Sequence, residues 1–282
     1  MNIIKKLVRS KFLNLSVKYL LRNKLIMNDF HRPVQRGSVN LHYWKISAEK
    51  DNVGDYLSPV VVGWMKQERG IVSDTSRDGK TRHLVAIGSI LDMSYQDAVV
   101  WGSGLQEDKQ YWWRALRKLD IRCVRGPETR RVLQDNGYDC PEIYGDPAVL
   151  LPLFYQPEKQ EKEFDYRVIH HHSMSNPDPS ALDPVTDDWK GFIDALVKSR
   201  RIISSSLHGV ILAEAYGVPA VLLANNPGMF KYRDYYYSTG RYSFPVAKSV
   251  EEALSIEPAQ LPDLRPLQKN LLNSFPDDLW KK

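Results

Sequence analysis

At 282 residues, 43% hydrophobic and 26% charged, the chain has an ordinary globular composition and is long enough for two α/β domains. Its net charge of +5 is local: residues 1–28 hold seven Lys and Arg and no acid, leaving 32 basic against 34 acidic residues elsewhere, a net of −2. A body without excess positive charge argues against a nucleic-acid partner, and no run approaches the roughly 18 apolar residues of a membrane span.

Residues 2–25 set Ile3, Ile4, Leu7, Leu15, Tyr19, Leu20 and Leu21 among lysines and arginines. That pattern suits either an interfacial helix on an anionic membrane surface or a helix packed on the protein's own body. Arg9 and Lys11 interrupt the apolar core that a signal peptide needs. Asn28–Ser38 reads as a linker, so residues 1–38 stand apart as a basic amphipathic segment and its connection. Cys123 and Cys140 show neither CxxC spacing nor a disulfide framework, as expected of reduced thiols in a cytoplasmic protein, peripheral at most on the inner face of the plasma membrane.

From Val39 onward the chain keeps one rhythm. Val39–Ile46 alternates like a strand and runs through Asp51–Asp55 into a helical pattern over Tyr56–Met65, with Asn52 or Asp55 as cap. Strands are predicted at His83–Ile87, ending at Gly88-Ser89, at Ala98–Trp101, ending at Gly102-Ser103-Gly104, and at Ile121–Val124, ending at Arg125-Gly126. Pro127 opens a helix over Glu128–Asn136. Gly145-Asp146-Pro147 then precedes the apolar stretch Ala148–Phe154. After the charge-rich stretch Gln156–Asp165 come a strand at Tyr166–Ile169, three histidines at 170–172, and a helix around Asp188–Lys198. Ile202-Ile203, a serine turn, a helix from Leu207 and the strand Val221–Leu223 make one βαβ unit, with Gly217 and Pro219 ending its helix. Met229–Tyr237 mixes aromatics with charges, residues 249–256 look helical, and Leu264–Trp280 has helical spacing interrupted by Pro276.

Short apolar strands that end in Gly, Ser, Asp or Arg and lead into helices are the mark of doubly wound parallel sheets. The reading is two Rossmann-like α/β domains, 39–160 and 161–282, facing across a cleft, with the C-terminal helix packing back on the first. Four strand-end clusters carry the chemistry: Asn52/Gly54/Asp55, Gly102/Ser103/Gly104, Arg125/Gly126 and Ser204–Gly209. Together they suggest an anionic substrate, with Arg125 offering a bidentate grip and His208 and Gly209 in the first turn of a helix whose free N–H groups attract anions. The Gly-x-Gly at 102–104 lacks the third glycine and downstream acid of a dinucleotide fingerprint, and no Walker A lysine is present. Adjacent strand residues face opposite ways, so at most two of the three histidines share a site; no metal is expected, and His171 or His172 is assigned to the cleft.

These residues resemble the polysaccharide pyruvyl transferases. The matching stretches are Asn52-Val-Gly-Asp55 with Leu57 and Pro59, Arg125–Arg130, Gly145–Ala148 with Leu150–Pro152, Ser204–Gly209 with Ala215–Pro219, and Lys231–Tyr236, in the family's order over residues 39–240. The resemblance implies a fold similar to GT-B glycosyltransferases, phosphoenolpyruvate as co-substrate with no cofactor, and a sugar acceptor, such as one linked to polyprenyl diphosphate, that receives a cyclic pyruvate ketal. It places Arg125 and His208 as catalytic, and Arg125, Ser206, Leu207, His208, Gly209 and Lys231 around the donor. Ser206 stands where some members carry arginine, so Lys231, Arg233 or Arg130 has to supply the missing charge. Asn52, Asp55, Ser103, Asp146 and His171 are assigned to the acceptor or the cleft wall. A nucleotide-sugar glycosyltransferase and a non-catalytic sugar-binding or membrane-scaffolding protein are the competing readings.

Overall fold

The computed structural model describes residues 31–33, 39–47, 49–73, 75–77, 80–94, 97–109, 118–158, 161–174, 181–224 and 228–280. Two sheets organise them. The first holds β1 (His31–Pro33), β2 (Val39–Trp44), β3 (Arg82–Val85), β4 (Val99–Trp101) and β5 (Asp120–Cys123). The second holds β6 (Arg167–Ile169), β7 (Ile202–Ser204), β8 (Ala220–Leu223) and β9 (Val246–Ala247). All neighbours pair in parallel except β1, which lies antiparallel along β2 with His31 opposite Trp44. The stretch expected to be a linker therefore contains an edge strand. Three residues are too few to show a period, and Pro33 is tolerated because an edge strand has one unpaired side.

Strand order departs from the expectation of doubly wound sheets. In both sheets the strands follow chain order, β1 to β5 and β6 to β9, with no reversal among the described residues. A ligand site at a reversal point inside either sheet is thus absent from this part of the chain, and the strand ends of both sheets have to meet to make one.

Helices α1 (Val53–Glu68), α2 (Pro127–Asp135), α3 (Trp189–Val197), α4 (Leu207–Ala215), α5 (Phe230–Ser238), α6 (Val250–Ser255) and α7 (Arg265–Ser274) cover the sheets. Helix α1 starts at Asn52, whose Oδ1 accepts from the Gly54 N–H. Ser58 pins it to the loop beyond β3 by accepting from the Ile87 N–H at 3.2 Å. The apolar run after Gly145 winds as 3₁₀ turns over Pro147–Leu153, its first turn capped by Asp146 Oδ1 accepting from the Ala148 N–H. Helix α4 is buried from Leu207 to Glu214, which is why its sequence is mostly apolar, with His208 and Glu214 as the exceptions.

Buried apolar residues from both halves form one continuous core, running from Val39, Leu57 and Trp101 to Ile193, Ile211 and Tyr235. Helix α7 lies on the first sheet: Trp101 Nε1–H donates to the Leu271 carbonyl at 3.0 Å, and the Trp101 ring packs edge-on against Phe275. Cys123 and Cys140 are buried free thiols, with burial pushing Cys140 up to about 12. No helix among the described residues is long and apolar enough to cross a membrane. The basic pattern of residues 2–25 lies outside the described residues.

Candidate active site

The C-terminal ends of the two sets of strands meet at a cleft of about 270 Å³. From the first sheet come Trp44 at the end of β2, Asn52 and Asp55 at the start of α1, Ser89 and Ile90 after β3, and Gln106 after β4. From the second come His171 and His172 after β6, Ser206–His208 at the start of α4, and Lys231 in the first turn of α5. Two helix N-termini, those of α1 and α4, therefore open on the same space. The positive ends of their dipoles favour negative charge there, although the Val53 and Gly54 N–H groups of α1 are already taken by the Pro184 carbonyl and by Asn52 Oδ1.

Asp55 is 7% exposed and accepts from Asn52 Nδ2 at 2.9 Å. Burial pushes its carboxyl up to about 6; His208 and Lys231 pull the other way, and Asp146 adds to the rise. Lys231 is 9% exposed and forms no hydrogen bond or ion pair among the described residues; its Nζ sits 5.1 Å from the centroid of the Tyr232 ring. Burial first, and the charge of Arg125 second, draw its ammonium down to about 8. Of the three cations expected to make up for Ser206, Lys231 is the one that lines the cleft. Arg130 Nε is turned away to the Cys140 carbonyl, and Arg233 does not line the cleft.

His208 is held between the two halves. Its Nε2 lies 3.6 Å from Asp146 Oδ2, and both atoms are buried without a hydrogen bond among the described residues. On its other side the ring rests over Gly54: a Cβ there would fall 2.1 Å from Nδ1. Glycine at 54 is thus required by the closeness of an imidazole from the opposite sheet.

His171 and His172 both line the cleft, rings 4.1 Å apart, with His172 against Trp44. Alternation does not separate them because β6 has already ended at Ile169. Burial, then Lys231 and His172, draw His171 down to about 4, so it is neutral at pH 7. Ser173 engages its Nδ1, with the hydroxyl oxygen at 2.8 Å and the backbone nitrogen at 3.4 Å.

Several expected site residues lie behind the cleft. Arg125 is fully buried: Nε donates to Asp234 Oδ2 at 3.0 Å, Nη1 to Ser89 Oγ and Nη2 to the Leu105 carbonyl. The expected bidentate grip on a donor is not available, because the guanidinium fork is spent on these partners. Asp146 sits beneath His208 and does not line the cleft. Ser103 is fully buried, its hydroxyl donating to the Gly88 carbonyl at 2.8 Å. Gly104 next to it makes room for Arg125, whose Cζ would lie 2.5 Å from a Cβ at that position. Gly209 makes the same kind of room for Ser204 Oγ at 2.2 Å, below the cleft. Ser206 occupies the N-cap position of α4 but makes no capping bond with its side chain, and it lines the cleft beside Leu207. Among the described residues no cluster of His, Cys, Asp or Glu is arranged to hold a metal ion.

Fold and site together define an α/β protein with a cleft between two largely parallel sheets, furnished with a carboxyl and an ammonium that titrate near neutrality. Residues 52–227 match the model of the polysaccharide pyruvyl transferase family, and the chain belongs to that family of transferases in polysaccharide biosynthesis. An uncharacterized protein of Acanthamoeba polyphaga mimivirus is 27% identical over 197 residues, covering 65% of this chain and 67% of that one. The crystal structure of a functionally uncharacterized protein from Klebsiella pneumoniae subsp. pneumoniae NTUH-K2044 aligns with a TM-score of 0.50 at 17% identity, over 76% of this chain and 93% of that one, a likeness of fold.

Proposed function

We propose that the chain transfers the pyruvyl group of phosphoenolpyruvate onto two hydroxyls of a sugar as a cyclic ketal, its two halves acting as Rossmann-like domains, 39–160 and 161–282, in a GT-B-like arrangement. The observation that carries this reading is the convergence of two helix N-termini and the Lys231 ammonium, unpaired among the described residues, on a cleft that also holds a carboxyl titrating near 6. Phosphoenolpyruvate carries a phosphate and a carboxylate on a three-carbon frame, and two anion-attracting helix ends suit two anionic groups.

In this reading the protonated Asp55 carboxyl gives its proton to the methylene carbon, which becomes the methyl group, while C2 takes up positive character. One sugar hydroxyl bonds to C2 and releases its proton. Phosphate then leaves with the C2–O bond electrons, and the second hydroxyl closes the ring and releases its proton. One of the two hydroxyl protons restores Asp55; the other departs with phosphate. A carboxyl near 6 is matched to this double duty at neutral pH. His208, packed between Asp146 and Gly54, presents its imidazole to the donor, and Lys231 supplies the charge that Ser206 does not. Arg125 acts as a positioning residue through Ser89.

The test is mass spectrometry of a lipid-linked or model glycoside incubated with phosphoenolpyruvate, read with phosphate release. The ketal mass increment should appear, and His208→Ala, Asp55→Asn and Lys231→Met should each abolish it. Nucleotide released from a UDP-sugar, with phosphoenolpyruvate untouched, would instead establish a glycosyltransferase. In the same reading residues 2–25 hold the cleft near a polyprenyl-diphosphate-linked acceptor, so their deletion should reduce co-sedimentation with anionic vesicles; unchanged partitioning refutes that role.

A further inference from the structure

Lys231 stands in the cleft without a hydrogen bond or ion pair among the described residues, although it is only 9% exposed and lysines this buried are ordinarily paired. The charged and titratable groups that act on it come from three elements: Asp55 on α1, Arg125 beyond β5, and His171 and His172 beyond β6. On its own helix the Tyr232 ring lies 5.1 Å from Nζ. Lys231 also lines a chamber of about 440 Å³ that adjoins the cleft, so both spaces reach it. Charge balance in the cleft calls for a cation, but it does not call for one so thoroughly buried and so poorly paired.

We infer that Lys231 is a nucleophile that captures a short 2-oxo acid as an imine, an activity separate from pyruvyl transfer. It uses the same cleft but not the same chemistry, because phosphoenolpyruvate has no ketone carbon for an amine to condense with. A desolvated lysine beside another cation is the setting in which an amine becomes reactive. Burial and Arg125 provide that setting here and draw the ammonium down to about 8. At pH 7 roughly one side chain in ten is then the free amine, against roughly one in three thousand for an ordinary lysine. The carboxylate of a 2-oxo acid is favoured at the positive ends of the α1 and α4 dipoles, which open on the same space. Its ketone is left for Nζ. The amine nitrogen bonds to C2, and one of its protons passes to the former carbonyl oxygen to give a carbinolamine. The protonated Asp55 carboxyl, also in the cleft, gives its proton to that hydroxyl, which leaves as water with the C–O bond electrons. A protonated imine remains beside the Asp55 carboxylate. The adduct fills the cleft, so a 2-oxo acid is a reversible covalent inhibitor of whatever else binds there.

The test is to incubate the full chain with pyruvate and sodium cyanoborohydride and to map the resulting N-carboxyethyl lysines by peptide mass spectrometry. Mapping on the wild-type chain needs no variant to fold. Lys231 should be labelled at least tenfold faster than the exposed Lys190, Lys248 and Lys269. Acetone, a ketone without a carboxylate, should show at least tenfold less preference for Lys231 over the same three. Lys231→Arg, which keeps a cation and removes the nucleophile, should lose the site-specific adduct, and Asp55→Asn should slow labelling tenfold or more. No adduct on Lys231, labelling spread evenly over the four lysines, or equal preference with acetone overturns the inference; labelling of Asp55→Asn at the wild-type rate overturns the proton assignment. The two readings fail separately. Labelled Lys231 with no phosphate released from phosphoenolpyruvate in the presence of sugar defeats pyruvyl transfer alone, and turnover with Lys231 unlabelled defeats the imine alone.

Discussion

Gly54→Ala pits a local rule against a contact made across the cleft. Within a helix, alanine is preferred over glycine by at most about 1 kcal/mol, so secondary structure alone makes this substitution stabilising. In the fold, however, the new Cβ would lie 2.1 Å from His208 Nδ1 and 2.2 Å from Cγ. Ordinary contact begins near 3.4 Å, so the imidazole has to retreat by roughly 1.3 Å. Overpacking of this kind costs about 1–3 kcal/mol, and a displacement of about 1 Å at a reacting centre costs on the order of 100-fold in rate. Gly63 lies in the same helix, and a methyl group added there would meet nothing within 4 Å among the described residues, which makes Gly63→Ala the matched control. Thermal unfolding should show Gly63→Ala at or above the wild-type midpoint and Gly54→Ala below it. Phosphate release from phosphoenolpyruvate should fall about 100-fold in Gly54→Ala alone. Equal stabilisation by both substitutions, with turnover within threefold of wild type, would refute the placement of His208 over Gly54.

Lys231→Met should stabilise the protein at pH 7 while removing anion binding. An ammonium whose pKa falls from 10.5 to about 8 on folding is a buried charge that costs up to about 3 kcal/mol at neutrality, and that cost is relieved as pH rises from 8 to 10.5; chemical denaturation across that range reads both effects. For Asp55 the sign is opposite. Its folded pKa is raised from 3.8 to about 6, so the stability it contributes is complete below pH 4 and is lost as pH climbs through 6, by at most about 3 kcal/mol. Asp55→Asn should remove that slope between pH 4 and 6 and leave the profile above pH 7 unchanged. Arg125→Ala should cost about 3–5 kcal/mol because it leaves Asp234 buried without its cation; Arg125→Ala and Asp234→Asn combined should recover part of that loss in the same denaturation assay.

Much of the architecture was legible because it depends on local signals. The strand at Ile202-Ile203, the glycine at 217 and the proline at 219 announce their element by period and backbone preference, and the structure places β7, α4 and β8 there. The meeting of Asn52, Asp55, Ser206 and His208 followed from strand ends being where ligands bind. What was not legible depends on partners far along the chain. Arg125 reads as an anion grip until Asp234, 109 residues later, is seen to occupy it. Gly102-Ser103-Gly104 resembles a phosphate loop, yet Gly104 is small to let the Arg125 side chain pass. Lys231 sits in a run of mixed aromatics and charges with no period to show which side chain turns inward. Trp44, Ser89 and Gln106 line the cleft without any motif; Ser89 and Gln106 follow predicted strands, and Trp44 lies near the end of one.

Helix α5 belongs by chain to the second sheet and by contact to the first. Phe230, its first residue, is buried in the core cluster that contains Val85, Ile121 and Val132, and Asp234, one turn on, accepts from Arg125, the Thr129 N–H and the Thr129 hydroxyl. A Cβ on Gly126 would run into the Asp234 carbonyl at 1.8 Å, so backbone meets backbone at this seam. The helix acts as a rivet through both plates. Prising the sheets apart along that edge would mean pulling an aromatic ring from a core and parting a buried ion pair.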